Sequence, residues 1–243
     1  MNILLLNSNG DSKLNSIAAA VSAAGYNVAL ADPSLKPEDL EKIMPTVVLH
    51  NMPNGGSFPI EGNFITSYVG EDRLQPFVNL RKIAKCEDTR YDSEVVYIGN
   101  PTVFKGSLHR LASADSFEFK FFNNTPLNIG GYAGVLHPDE YPQVYRGATV
   151  SIAHKEDVQR IMDITICNGY PVLYNDDDQD FLQRVERALK DDSCQFLEGP
   201  DKGEILSKNT NFDRASAIFK DLNIAKIQKD LAEAKSRLLE EYK

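Results

Sequence analysis

Arg160 and Asp163 stand three residues apart within Glu156–Cys167, where apolar residues recur at helical spacing. Both therefore project from one face of a predicted helix. A guanidinium so placed can grip a phosphate, and a carboxylate beside it can accept from a ribose hydroxyl, a pairing suited to a nucleotide. His154 leaves the strand predicted over 148–153 just ahead of the same helix. A phosphate seated there would gain the helix-terminal N–H groups as well as a cation. The plainer reading of Arg160 and Asp163 is an i,i+3 surface ion pair, worth a few tenths of a kcal/mol.

Ligands of open α/β sheets bind beyond the carboxyl ends of the strands, so the strand-exit loops are where further chemistry is expected. The first such loop, Asn7-Ser8-Asn9-Gly10-Asp11, is small and polar and runs into a helix N-terminus. It suits a phosphate or a sugar hydroxyl, and equally an N-capping turn. It lacks the GxGxxG spacing of a dinucleotide loop. His50 closes the third strand and, with an imidazole that titrates near neutrality, is the candidate general base. Asp11 and Asp72 are the alternatives, and a lone histidine is more often structural. Gly99-Asn100-Pro101 leaves a later strand, with Lys105 slightly beyond it as a cation for phosphate charge. The glycine-rich Ile129–Gly134 resembles a phosphate loop only superficially, because no Lys-Ser/Thr follows it.

The elements that must position these residues alternate strictly at the start of the chain. Strands are predicted at Asn2–Leu6, Asn27–Ala31 and Thr46–His50, with helices at Ser12–Ala24 and Pro37–Met44 between them. Such βαβαβ order implies a parallel sheet with right-handed crossovers. A Gly- and Pro-punctuated stretch, 52–67, reads as a loop ending in a short strand, Phe64–Tyr68, and a helix is predicted at Gln75–Ala84. After the polar linker Lys85–Ser93 the rhythm restarts. Strand Glu94–Ile98, helix Lys105–Ala114, strand Phe117–Phe122 and a short helix Asp139–Tyr145 lead into strand 148–153, helix Glu156–Cys167 and strand Tyr170–Tyr174. A helix at Asp180–Lys190 follows. Asn211–Lys243 carries Ile218, Leu222, Ile224, Ile227, Leu231, Ala234 and Leu238 at helical spacing, predicting one long C-terminal helix.

The pattern Arg160-x-x-Asp163-x-x-x-x-x-Gly169-x-Pro171-Val172-Leu173, preceded by Tyr145, resembles the donor-binding half of GT-B glycosyltransferases. It is closest to their spore-maturation-type, group-1-like branch, and the likeness covers about residues 94–193. The family carries Glu where this chain has Asp163, one methylene shorter. The resemblance implies an α/β fold of two Rossmann-like domains facing a cleft. Residues 1–90 would be the acceptor domain, 91–210 the nucleotide-sugar domain, and the helix at 211–243 would brace the first domain. It further implies that Asp163 holds the ribose, Gly169 opens the next strand, and Gly99 and Asn100 turn beneath the diphosphate. The segment at Ile129–Gly134, with Asn123 and His137, would lie near the nucleobase. In inverting members a base from the first domain deprotonates the acceptor, the role assigned to His50; a retaining enzyme needs none.

The expected activity is transfer of a sugar from a nucleotide-sugar, uridine-linked, to a hydroxyl acceptor, with no cofactor and no metal. Two alternatives stay open. A viral enzyme glycosylating hydroxymethylated bases of DNA would use Arg73, Arg81, Lys82, Lys85 and Arg90 as a local basic strip, which is otherwise a solvated face. A non-catalytic nucleotide-binding or sequestering module would keep the donor pocket and lose the acceptor side. The 243 residues and 42% hydrophobic content support a sizeable core. A formal net charge of −9 argues against a broad nucleic-acid face. Cys86, Cys167 and Cys194 are odd in number and widely spaced, which indicates neither a disulfide framework nor a zinc site and suits a reducing cytoplasm. No apolar window reaches membrane-spanning length. The C-terminal stripe has a competing use as a dimerising coiled coil.

Overall fold

Strand β1 (Asn2–Leu6) is the run Ile3–Leu6 with every apolar side chain buried, as a central parallel strand covered on both faces requires. It pairs in parallel with β2 (Asn27–Ala31) on one side and β3 (Val47–His50) on the other, and β3 pairs with β4 (Ile65–Tyr68). The strand order is β2-β1-β3-β4. The computed structural model describes residues 1–8, 10–52, 62–74, 76–80, 89–100, 105–123, 130–167, 169–175, 178–190 and 199–241. The chain divides into two compact units, Met1–Arg81 with Lys208–Lys243, and Lys82–Ser207.

In the first unit, helix α1 (Ser12–Ala23) begins where the Asp11 carboxylate accepts from the Lys13 amide at 2.7 Å, satisfying a donor that the helix itself leaves open. Helix α2 (Pro37–Ile43) opens on proline, whose missing N–H costs nothing at that position. Its Leu40 packs with Leu4, Leu6 and Val48 on one sheet face. Register places Ile3 beside Val47 and Leu5 beside Leu49, and strand alternation turns these four to the other face.

The second unit is also a parallel sheet, β7-β6-β5-β8-β9. Its elements in chain order are β5 (Ser93–Ile98), α3 (Lys105–Ala112), β6 (Phe119–Phe122), β7 (Tyr132–Gly134), α4 (Tyr141–Gly147), β8 (Ala148–His154), α5 (Val158–Ile166), β9 (Tyr170–Tyr174) and α6 (Phe181–Leu189). Leu111 of α3 and Phe181, Val185 and Ala188 of α6 join Val95, Tyr97, Phe121, Val150, Ile152 and Tyr174 in one core. Helices α4 and α5 pack together, α4 against β5 and β8 and α5 against β8 and β9. The glycine-rich segment ends as β7, an edge strand on β6, rather than as a phosphate loop.

Helix α7 (Lys202–Lys208) leads back to the first unit, where α8 (Asn211–Asp221) and α9 (Ala225–Glu241) pack on α1. Two sequence expectations change here. The long C-terminal helix is two helices, because Asn223 takes a left-handed conformation, φ 56°, which Asn tolerates better than most residues and which no helix can continue through. The described part of the predicted helix Gln75–Ala84, residues 76–80, is not α-helical: Val78 bridges Thr210 in parallel, its amide donating to Asn209 O at 2.8 Å and its carbonyl accepting from Asn211 N at 2.9 Å. Helical periodicity there marks burial of Phe77, Val78 and Leu80. The C-terminal stripe is consumed within the unit, with Ile227, Leu231 and Ala234 all buried. No helix among the described residues is long and apolar enough to cross a membrane.

The C-terminal helices are fastened by polar contacts as well as by packing. Thr210 and Asp213 form a capping box at α8, and Lys235 of α9 meets Asp213 at 2.7 Å. The Tyr26 hydroxyl bonds Asp230, and Arg73 pairs with Asp221 at 2.6 Å. Asn211 is fully buried, donating to Ser16 O at 3.0 Å and accepting from Leu80 N at 3.3 Å. Asn211→Ala strands both of those groups and should lower stability by about 1–3 kcal/mol. Chemical denaturation will check this against exposed Ser236→Ala; equal midpoints for the two variants would show that the amide anchors nothing.

Candidate functional site

In each sheet the order reverses direction once beside the first strand of that sheet, between β1 and β3 in the first unit and between β5 and β8 in the second. Loops leaving the two carboxyl ends there diverge to opposite sheet faces and open a crevice, the usual ligand position in such folds.

At the first reversal the side chains largely satisfy one another. Asn51 Oδ1 accepts from the Ser8 amide at 2.8 Å, and Ser8 Oγ donates to Asn51 O at 3.0 Å. Asn51 Nδ2 donates to Asn7 Oδ1 at 3.3 Å, which also accepts from the Asp11 amide at 2.8 Å. Asn7 Nδ2 in turn donates to Asp11 O at 2.9 Å. The cluster therefore clamps the ends of β1 and β3 and fixes the start of α1, with Asp11 as its N-cap. His50 ends β3 with 4% of its surface exposed, its ring 5.7 Å from that of Tyr68 at the end of β4. Burial pushes its pKa below the usual imidazole value, so the ring is neutral at pH 7. The backbone of Asp72 lies in a 3-10 turn, Glu71–Leu74.

The second reversal is built differently. Asp157 caps α5, accepting from the Arg160 amide at 3.1 Å, and its second oxygen meets Arg160 Nε at 3.1 Å. Arg160 then reaches across from α5 to the end of β5, where Nη1 donates to Ile98 O. Its guanidinium lies 6.0 Å from the centre of the Tyr97 ring. A Cβ on Gly99 would come within 2.6 Å of the Tyr97 hydroxyl and 2.7 Å of Arg160 Nη1, so a side chain there would push the ends of both side chains aside. Burial works against the arginine's charge, but Tyr145 and Asp157, with Tyr97 and Tyr174, outweigh it, and the group stays cationic. Nη2 has no hydrogen-bond partner among the described residues.

His154 ends β8 with its ring edge-on to Tyr174, centroids 5.0 Å apart. Its Nδ1 accepts from the Glu156 amide at 3.3 Å, which in the neutral ring leaves the proton on Nε2 as an outward donor. Arg184 ties the exit of β9, bonding Leu173 O at 2.7 Å and pairing with Asp178. Asn100 follows Gly99, its carbonyl accepting from the Tyr97 hydroxyl at 3.3 Å. Lys105 opens α3. Asp163, one turn beyond Arg160, accepts from Gln159 Nε2 at 3.1 Å. Gly169 follows α5; a Cβ there would sit 2.9 Å from Ile164 Cγ2 and 3.0 Å from Tyr145 O.

The arrangement thus gathers Gly99, Asn100, Arg160 and His154 at one reversal and His50 and Asp11 at the other. The i,i+3 partner of Arg160 is Asp157, on the N-terminal side, rather than the sequence candidate Asp163. The signal was present: an Asp just ahead of an apolar helical run is an N-cap signature. Tyr97 was missed because alternation along β5 marks it only as core. Asn123 follows β6, its amide donating to Gly134 O at 3.3 Å, and His137 caps a 3-10 turn, Pro138–Glu140. Of the basic strip, Arg73 pairs with Asp221 and Arg90 lies over the Tyr91 ring; positions 81, 82 and 85 lie outside the described residues, as do Asn168 and Pro101.

Because His50 has a lower pKa folded than unfolded, the unfolded chain binds its proton first as pH falls. Its contribution is complete above the ordinary value near 6.5 and is lost progressively as pH drops through the folded value. His50→Gln should therefore lose less stability than the wild type between pH 7.5 and pH 5, measured by thermal unfolding; parallel pH profiles would contradict the buried neutral imidazole. No family model matches the chain, and no curated protein matches it.

Proposed function

We propose that the chain is a glycosyltransferase of GT-B type, in which the second unit binds a uridine-linked nucleotide-sugar and the first presents a hydroxyl acceptor. The observation that carries the donor half of this reading is the span of Arg160 from α5 to Ile98 O over Gly99. It holds a cationic guanidinium at the strand-order reversal with Nη2 unpartnered among the described residues. Phosphate oxygens of a diphosphate are the natural acceptors for that group. Nε2 of His154 offers a second donor at the same carboxyl edge. Asp163, at the turn beyond, would accept from a ribose hydroxyl. In transfer, the leaving diphosphate gains charge, and a fixed cation with oriented N–H donors stabilises it without reorganising.

His50 is the candidate base for an inverting route. A neutral imidazole can take a proton, but at 4% exposure the ring must become accessible before an acceptor hydroxyl can reach it. That burial, together with the mutual satisfaction of Asn7, Ser8 and Asn51, favours a second reading: a nucleotide-binding module without transfer activity. Both readings share the donor site and differ in the first unit.

Thermal shift against nucleoside diphosphates tests the shared part. A diphosphate at about 100 times its dissociation constant should stabilise the protein by roughly 2.7 kcal/mol, and the free sugar should not. Absence of a shift with uridine, guanosine and adenosine diphosphates would sink the donor site. Release of nucleoside diphosphate from a nucleotide-sugar, with candidate acceptors that include hydroxymethylated duplex DNA, separates the two readings. If His50 is the base, His50→Gln should leave nucleotide affinity nearly unchanged and cut turnover by about 10²- to 10⁴-fold. Tight binding without turnover on any acceptor makes the chain the binding module.

A further inference from the structure

Asp157 stands between β8 and α5 with both carboxylate oxygens committed to one residue. Oδ1 accepts from the Arg160 amide at 3.1 Å, which caps the helix, and Oδ2 meets Arg160 Nε at 3.1 Å. Capping needs only the first contact, and serine or asparagine makes it as well as aspartate. The second contact does nothing for the helix backbone. It fixes where the guanidinium lies. Both side chains are half-buried, which spares the pair the full screening that weakens ion pairs on an open surface.

The backbone of Asp157 is held in turn. Its amide donates to His154 O at 2.9 Å, and its carbonyl accepts from Ile161 N at 3.0 Å. A continuous series of contacts therefore crosses the strand-order reversal. It runs from the His154 carbonyl at the end of β8 through Asp157 to Arg160 Nε, and from Arg160 Nη1 to Ile98 O at the end of β5. Asp157 is the member of that series that touches both residues assigned above to the phosphate, His154 by its backbone and Arg160 by its side chain. With Nε and Nη1 engaged, the planar guanidinium is held against rotation, and the position of Nη2 is set before any ligand arrives. An arginine already held loses little rotamer freedom on gripping a ligand, whereas a mobile one loses much.

Resting on the nucleotide reading above, we propose that Asp157 is the positioning residue of the phosphate grip. Its carboxylate holds the Arg160 guanidinium, and its amide the exit of β8, where a nucleoside diphosphate binds. A carboxylate beside a phosphate site also repels the ligand directly. Positioning and repulsion move affinity in opposite directions when the carboxylate is removed, so the two are separable.

Asp157→Ser keeps a capping oxygen and drops the contact with Nε, while Asp157→Ala drops both. Calorimetric titration of the full chain with UDP, GDP and ADP, together with the ligand-free Tm of each variant, tests the idea. For whichever nucleotide binds the wild type, both variants should bind about 10-fold more weakly, the low end of what is lost when a residue that orients a metal ligand is removed. Only Asp157→Ala should lose stability, its Tm falling by about 2–4 °C as the cap goes. Wild-type affinity in Asp157→Ser would reduce Asp157 to a helix cap and overturn the inference, leaving the donor site standing. Tighter binding in Asp157→Ser would show repulsion alone and overturn it as well. So would weaker binding accompanied by the same Tm loss in both variants, which would mark a disturbed helix start. Failure of the wild type to bind any of the three nucleotides would overturn both this inference and the nucleotide reading.

Discussion

Parallel pairing is the constraint from which the rest of this molecule follows. Every pair in both sheets is parallel, so each strand's successor is reached only by crossing a sheet face, and helices must cover the faces to bury the apolar strands. All strands of a sheet then deliver their loops to one edge. Where the order reverses, two loops leave in opposite directions and cannot close over the gap between them. Among the described residues, the polar groups of interest stand at these two gaps.

The two gaps are filled in chemically opposite ways. At the first, neutral amides and hydroxyls satisfy each other and fasten strand ends together, with a histidine driven neutral by burial beneath them. At the second, a cation spans the gap, anchored at Nε and Nη1, with Nη2 unpartnered among the described residues. A closed network of neutral partners gives rigidity, whereas a partly partnered charge is costly to bury unless something completes it.

Much of the fold was legible in the sequence because burial writes itself as uninterrupted runs. Ile3–Leu6, Val47–Leu49 and Val150–Ala153 are apolar at almost every position, which only a strand covered on both faces explains over so short a length. The failures have definite causes. Asn223 breaks the C-terminal helix through a backbone conformation that leaves the apolar spacing on either side in phase. Residues 76–80 carry helical spacing, yet Val78 pairs with Thr210, more than a hundred positions away, and no local pattern reports such a partner. The site was legible in its residue types and less so in its pairings. Arg160 stood out, but its reach to Ile98 O past Gly99 is a relation between distant segments that spacing along the chain cannot reveal.

The return of the chain to its first unit at Lys208 also bears on how the protein is made. The second unit is continuous in sequence, while the first draws α8 and α9 from the far end. Leaving the ribosome, the earlier half would wait with the α1 groups that Asn211 and Ile227 will cover still exposed, while the later-starting unit completes itself. At roughly 5–20 residues per second that wait lasts on the order of ten seconds. The first unit is thus completed only after the second has been made.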